Sequence, residues 1–408
     1  MQINLLNYQT EAKEHLLPYN VGALFMEAGT GKTRVACELV NDVDNIDLVV
    51  WIGPLQTIRP RGGVSGIQEE INKWGGFNAK DIIFVGVESL SSSDRIYLEL
   101  IEKIREAEKV FIVVDESLKI KNADAKRTKR IIELGKMVKY KLILNGTPLS
   151  RNLLDLWPQM EFFSPKILNM TLLQFKNSFC KYTTITKKFN GCQKYTKEFI
   201  TGYANIDYLY SLIRHYVYQC DLNLTLTQNY KSLYYTLDDE SRENYMFLKN
   251  KYLDDEMLMW RNNNIFMEMT QKMQYSYCLT EEKFTIVDSL FKEIREEESI
   301  IFCKYIKSRE ECEKRYPKAL VLSYQKESLG LNIQSRHHTI YFDKIWDLAL
   351  RIQSGRRTFR TGQEYDCFYY DLTGDVGLES MIDRNISNKV SMTEYFKMKT
   401  KEELEAEL

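Results

Sequence analysis

Gly29-Thr30-Gly31-Lys32-Thr33 combines the residue types that grip nucleotide phosphates. The glycines let backbone N–H groups close on phosphate oxygens, Lys32 brings a mobile positive charge, and the Thr33 hydroxyl can ligate magnesium. Where the common pattern opens with glycine this chain has Met26, so the loop needs support from its setting. Val113-Val114-Asp115-Glu116 ends an apolar run in two carboxylates. Asp115 suits holding magnesium through water and Glu116 suits polarising an attacking water, the division of labour that ATP hydrolysis requires. A third group, Arg356-Arg357-Thr358-Phe359-Arg360, offers guanidinium charge for a γ-phosphate.

Secondary structure has to hold these groups together. Residues 22–26 read as a short apolar strand and residues 34–41 as a helix, with Val35, Leu39 and Val40 at helical spacing, so the glycine turn lies between strand and helix. Residues 48–52, 82–85, 110–114 and 142–144 read as buried strands, separated by polar helical stretches over 67–74 and 95–107. That alternation predicts a doubly wound parallel sheet, with the two carboxylates at the same sheet edge as the glycine turn. From 164 to 280 the chain becomes rich in Tyr, Lys, Asn and Met, which predicts a mostly helical insertion with a strand at 230–235 and a helix at 239–252. A second α/β set follows: an amphipathic helix over 281–298, then strands at 299–303, 319–322, 339–342 and 367–370. After about Asp383 the tail is polar and ends in alternating Lys and Glu.

Further motifs, in order, give the loop a context. Asp115-Glu116-Ser117-Leu118-Lys119-Ile120-Lys121-Asn122 resembles the Asp-Glu box of the Swi/Snf-like branch of the superfamily-two helicases, whose extended form ends in Lys-Asn. Leu6-Asn7-Tyr8-Gln9 resembles that family's adenine-reading glutamine motif, and Gly53-Pro54-Leu55 its post-strand motif facing DNA. Leu144-Asn145-Gly146-Thr147-Pro148-Leu149, with Asn152 and Leu156-Trp157, resembles the Gly-Thr-Pro motif that couples hydrolysis to DNA. Leu322-Ser323 and Leu329-Gly330-Leu331-Asn332 resemble the fifth motif, and Gln353 through Arg357 and Arg360 to Gly362-Gln363 the sixth.

The resemblance implies an α/β fold of two RecA-like parallel-sheet lobes with ATP between them. The expected division is an ATP-binding lobe over 1–163, a helical connector over 164–280, a trimmed second lobe over 281–385 and a tail over 386–408. Gln9 would read adenine; Gly29, Thr30, Gly31, Lys32 and Thr33 would hold phosphates, with Thr33 and Asp115 on Mg2+. Lys32, Asp115, Glu116, Arg357 and Arg360 form the expected catalytic set. The two arginines are three apart and so expected on one helical face. Arg356 stands where glycine is expected, so a register with Arg356 as a finger also fits. Pro54, Lys121, Asn122, Gly146, Thr147, Pro148, Gly330, Asn332 and Gln353 fall at nucleic-acid or coupling positions. Two departures bear on coupling. Leu118 stands where many relatives have a coupling histidine, and residues 304–318 hold one helix where the family places a strand and a helix.

Composition bounds the rest. At 408 residues, 44% hydrophobic and 28% charged, the chain reads as a folded protein of at least two domains. Its apolar runs are strand-length and its N-terminus lacks a signal pattern, so no membrane span is expected. Eight scattered cysteines without a CxxC pair predict reduced thiols and no structural zinc. Net charge is −1, so any nucleic-acid contact must come from local clusters such as residues 119–130, 181–197 and 356–360. The function expected is an ATP-dependent DNA translocase or helicase, double-stranded DNA favoured, with replication or recombination proteins as further partners. An ATP-gated DNA-binding or recruitment module is the alternative. Small size and enrichment in Lys, Asn, Ile and Tyr point to a phage or mobile-element protein in a bacterial cytoplasm.

Overall fold

The computed structural model describes residues 4–59, 66–146, 153–189, 193–222, 224–253, 263–324 and 335–387. The chain divides after Leu222 into two compact units. In the first, β1 (Val21–Met26), β2 (Ile46–Gly53), β3 (Ala79–Gly86), β4 (Val110–Asp115) and β5 (Tyr140–Asn145) form a parallel sheet. Continuous apolar runs in β1, β2 and β4 mark strands covered on both faces. Alternate residues accordingly enter two cores. Phe25, Val50, Ile112 and Ile143 pack with Leu134, Met160 and Phe163 on one face, while Leu24, Val49, Val113 and Leu144 pack with Leu16, Val35 and Val40 on the other.

The segment 164–280 supplies strands to both units. A two-stranded antiparallel ribbon, β6 (Cys180–Phe189) with β7 (Gln193–Tyr203), is followed by β8 (Val217–Cys220), which pairs with β1 and completes the order β3-β2-β4-β5-β1-β8. β9 (Gln228–Tyr235), where a strand is expected, becomes the edge of the second sheet beside β13 (Cys367–Gly374). With β10 (Ser299–Cys303), β11 (Leu320–Ser323) and β12 (His338–Tyr341) that sheet is also parallel, in the order β11-β10-β12-β13-β9. The fold is therefore two RecA-like α/β units.

The helix expected over 281–298 stops at Leu290. Phe291 and Ile294 then turn back against the core that Leu290 enters, and three consecutive glutamates follow in a short 3-10 turn. Between β10 and β11 stands the single helix Ile306–Arg315. Seven cysteines among the described residues are free, and Cys192 lies outside them. No described helix is long and apolar enough to cross a membrane.

Candidate nucleotide site

In a parallel sheet the loops leaving the carboxyl ends of neighbouring strands share one edge. Phe25 of β1 is level with Asn145 of β5, and Asp115 of β4 with Leu144, so the three strands end together. After Met26 the chain turns tightly: the Thr30 N–H and hydroxyl both donate to the Glu27 carbonyl, at 3.3 and 2.7 Å. Gly29 and Gly31 take φ values of 91° and 79°, a region that side chains strain to enter. The helix Lys32–Asn41 starts at once, with no side chain capping it at Gly31. Its first N–H groups and Lys32 could hold an anion, with Thr33 buried beside them.

Gln9 is buried against this loop. Its Nε2 donates to the Thr30 carbonyl at 2.8 Å, while Oε1 accepts the Leu6 N–H at 3.1 Å. A Cβ on Gly31 would lie 2.4 Å from that Nε2. Gln9 is thus a brace for the loop. Met26 belongs to the buried strand, and Glu27 is tied down on both sides: its N–H donates to the Cys220 carbonyl at 3.0 Å and its carboxylate accepts the Leu222 N–H at 2.8 Å. Glycine is not needed where this strand end is stitched to β8.

Asp115 is buried at the end of β4, and burial, reinforced by the neighbouring Glu116 charge and opposed by Lys32, pushes its carboxyl up to about 7. Such a carboxyl is short of positive charge, which a divalent cation would supply, so the residues fit magnesium bound with a nucleotide. Glu116 sits at φ 52°, ψ 56°, left-handed backbone for a non-glycine residue. Its N–H donates to Asp115 Oδ1 at 3.0 Å. Next to it the Ser117 hydroxyl donates to Gln159 Oε1 at 2.6 Å and accepts from Asn145 Nδ2 at 3.3 Å, all three side chains being buried. Gly146 follows Asn145 and lies beside the loop, where a Cβ would come 3.5 Å from the Ala28 nitrogen.

The remaining candidates are dispersed. Pro54 is buried and opens a short helix, its carbonyl accepting from Thr57, whereas Leu55 is exposed. Leu118 is half-buried, as is Lys121, which closes the turn Ser117–Ile120. Asn122 is exposed, and its side chain accepts the Asp124 N–H. Thr147, Pro148, Gly330 and Asn332 lie outside the described residues.

In the second unit Gln353 belongs to the helix Leu348–Gly355, which ends before the arginines. Arg357 and Arg360 therefore lie in the turn that follows, not on a helical face. Burial of Thr358 and Phe359 fixes this turn, with the Thr358 hydroxyl donating to the Gly355 carbonyl at 3.2 Å. Arg356 places its guanidinium 5.4 Å from the Phe359 ring. Among the described residues Arg360 Nε is buried without a hydrogen-bond partner. Away from these groups, Glu298, His337 and His338 bring candidate metal-ligating atoms within 4.8 Å of one another. Glu298 there pairs with Arg295 at 3.1 Å and His338 with the Tyr370 hydroxyl at 3.3 Å.

Comparison with known proteins adds ancestry to this geometry. Residues 7–313 match the SNF2-related domain. An uncharacterized ATP-dependent helicase of Mycoplasma pneumoniae is 24% identical over 306 residues, spanning 67% of this chain and 29% of that protein. The ISWI chromatin-remodeling complex ATPase of Saccharomyces cerevisiae is 21% identical over 447 residues, 91% of this chain and 38% of the relative. This chain therefore spans about a third of the length of these curated relatives. Among solved structures, the SWI2/SNF2 ATPase core of Sulfolobus solfataricus in complex with dsDNA is 19% identical, covering 99% of this chain and 97% of that one with a TM-score of 0.43.

Proposed function

The chain belongs to the SNF2-related family, and from that premise we propose that it is an ATPase coupling hydrolysis to movement along, or remodelling of, double-stranded DNA. One observation carries the reading: the loop of Gly29 and Gly31, the Asp115–Glu116 pair and Gly146 meet at the carboxyl ends of β1, β4 and β5. A phosphate cradle beside a cation-seeking carboxylate suits ATP and Mg2+. Lys32 and the N–H groups of its helix would bind the phosphates. Thr33 and Asp115 would hold magnesium, which when bound neutralises phosphate charge. Glu116 orients the attacking water and takes its proton as ATP and water give ADP and phosphate. Arg357 and Arg360 would stabilise charge on the γ-phosphate.

Pro54, Lys121, Asn122, Gly146, Thr147, Pro148, Gly330, Asn332 and Gln353 remain the candidates for touching DNA or relaying its presence. Residues 164–280 would act as connector, and replication or recombination proteins in a bacterial cytoplasm are the partners this reading favours. The test is ATP hydrolysis with duplex DNA, single-stranded DNA or RNA, for wild type and Lys32→Ala. Stimulation by duplex, lost in Lys32→Ala, supports the proposal. ATP binding without turnover on any polymer would sink it in favour of an ATP-gated DNA clamp. Displacement of a triplex strand then separates movement from idle hydrolysis.

A further inference from the structure

We propose that Ser117 is a positioning residue that holds Glu116 ready for hydrolysis through its buried bonds to Gln159 and Asn145. The inference rests on the ATPase reading above and concerns how this chain connects its carboxylates to the end of β5, given a leucine at position 118.

Left-handed backbone is strained for a residue such as Glu116, and it persists only where the surroundings fix it. Two local bonds contribute: the Glu116 N–H to Asp115 Oδ1, and the Lys119 N–H to the Glu116 carbonyl at 2.9 Å. Neither reaches beyond the turn itself. Further along the turn the Lys119 and Ile120 carbonyls accept from Arg127 and Thr128, but the connection next to Glu116 is Ser117, whose hydroxyl both donates, to Gln159, and accepts, from Asn145. Gln159 is held in turn, since its Nε2 donates to the Asp155 carbonyl at 2.8 Å. Ser117 and Gln159 are fully buried and Asn145 is 2% exposed, so water does not compete for these bonds.

The two partners tie Ser117 to different elements. Gln159 lies on the helix Trp157–Phe163, whose Met160, Phe162 and Phe163 are buried in the sheet core, and so serves as the fixed end. Asn145 is the last residue of β5 and precedes Gly146, which lies beside the loop, close enough that an added Cβ would come 3.5 Å from the Ala28 nitrogen. The bond from Asn145 therefore ties Ser117, and with it the turn that aims Glu116, to the end of β5. Leu118, half-buried and without a polar side chain, takes no part in these bonds.

Steady-state ATP hydrolysis with saturating duplex DNA tests this, for wild type, Ser117→Ala and Gln159→Met, alongside nucleotide affinity and melting temperature. A misplaced Glu116 affects chemistry rather than binding, so kcat is expected to fall roughly tenfold to a hundredfold with KM for ATP within about twofold. Ser117→Thr, which keeps the hydroxyl, is expected to recover most of that loss. Should Ser117→Ala fail to fold, Gln159→Met removes the acceptor at matched length and carries the same test. Wild-type kcat in the folded variants overturns the inference, as does a parallel loss of nucleotide affinity, which marks a merely structural role. If wild type itself hydrolyses no ATP with any polymer, the family-based reading fails first and takes this inference with it.

Discussion

Glu116 and Asp115 are adjacent carboxylates in opposite situations, one half-exposed in a strained turn and the other buried and pressed toward neutrality. Their roles should separate on mutation. Glu116→Gln keeps the shape and removes the base, so turnover is expected to fall by about 10² to 10⁴ while nucleotide binding survives. Lys32→Ala is expected to lose binding as well, and fluorescent-nucleotide titration beside hydrolysis distinguishes the two patterns. At Gly31 two penalties combine, since a side chain there must adopt φ 79° and also displace Gln9 Nε2 from 2.4 Å. Gly31→Ala is expected to destabilise the first unit by about 1–3 kcal/mol, read from its urea midpoint. Lys32, Asp115 and Glu116 could be picked out in the sequence because their chemistry depends on residue type within a short stretch. The bonds that join Ser117 to Asn145 and Gln159 could not, because separations of 28 and 42 residues leave no local pattern.

Strands buried on both faces were legible as apolar runs, and β2, β4, β5, β10 and β12 lie where those runs predict them. The ribbon β6–β7 was hidden because its lysines, threonines and tyrosines give no apolar alternation, and β8 because four residues are too few to show a period. The turn holding Arg357 and Arg360 was misread as helix because three-residue spacing says nothing about where a helix stops. At the start of β12, burial and then the neighbouring His337 lower the His338 pKa from 6.5 to about 4. Glu298 and the Tyr370 hydroxyl stand beside this pair. The unfolded chain thus takes up the proton first as pH falls below 6.5, so the stability present above 6.5 is lost progressively toward pH 4. The loss is expected on the order of 3 kcal/mol, and His338→Phe should flatten it. Hydrogen exchange of the β12 amides between pH 7 and 4.5 measures both.

With a net charge of −1 spread over two units, the whole molecule has no global field to draw it to DNA, so the DNA binding proposed above must be local and salt-sensitive. What the chain does possess is a direct bond from the loop proposed to bind phosphate to the point where the first unit ends. The Glu27 carboxylate accepts the N–H of Leu222, a buried residue, and the division between units follows immediately. Glu27→Ala leaves that N–H without its acceptor and is expected to cost about 1–3 kcal/mol, whereas Glu27→Gln keeps an acceptor and most of the stability. Both effects belong to the first unit, and so do the proposed phosphate and magnesium ligands, Arg357 and Arg360 being proposed to act on charge during hydrolysis rather than to hold the nucleotide. A ligand that binds only the folded first unit stabilises it by about 2.7 kcal/mol at a hundredfold excess over Kd. Scanning calorimetry of wild type is therefore expected to show Mg-ATP moving one transition and leaving the other in place. In Lys32→Ala neither transition should move, and in Glu27→Ala the first should start lower yet still respond to nucleotide. If Glu27→Ala abolishes that response, its bond to Leu222 is required for the phosphate loop to bind at all, rather than for joining the loop to the end of its unit.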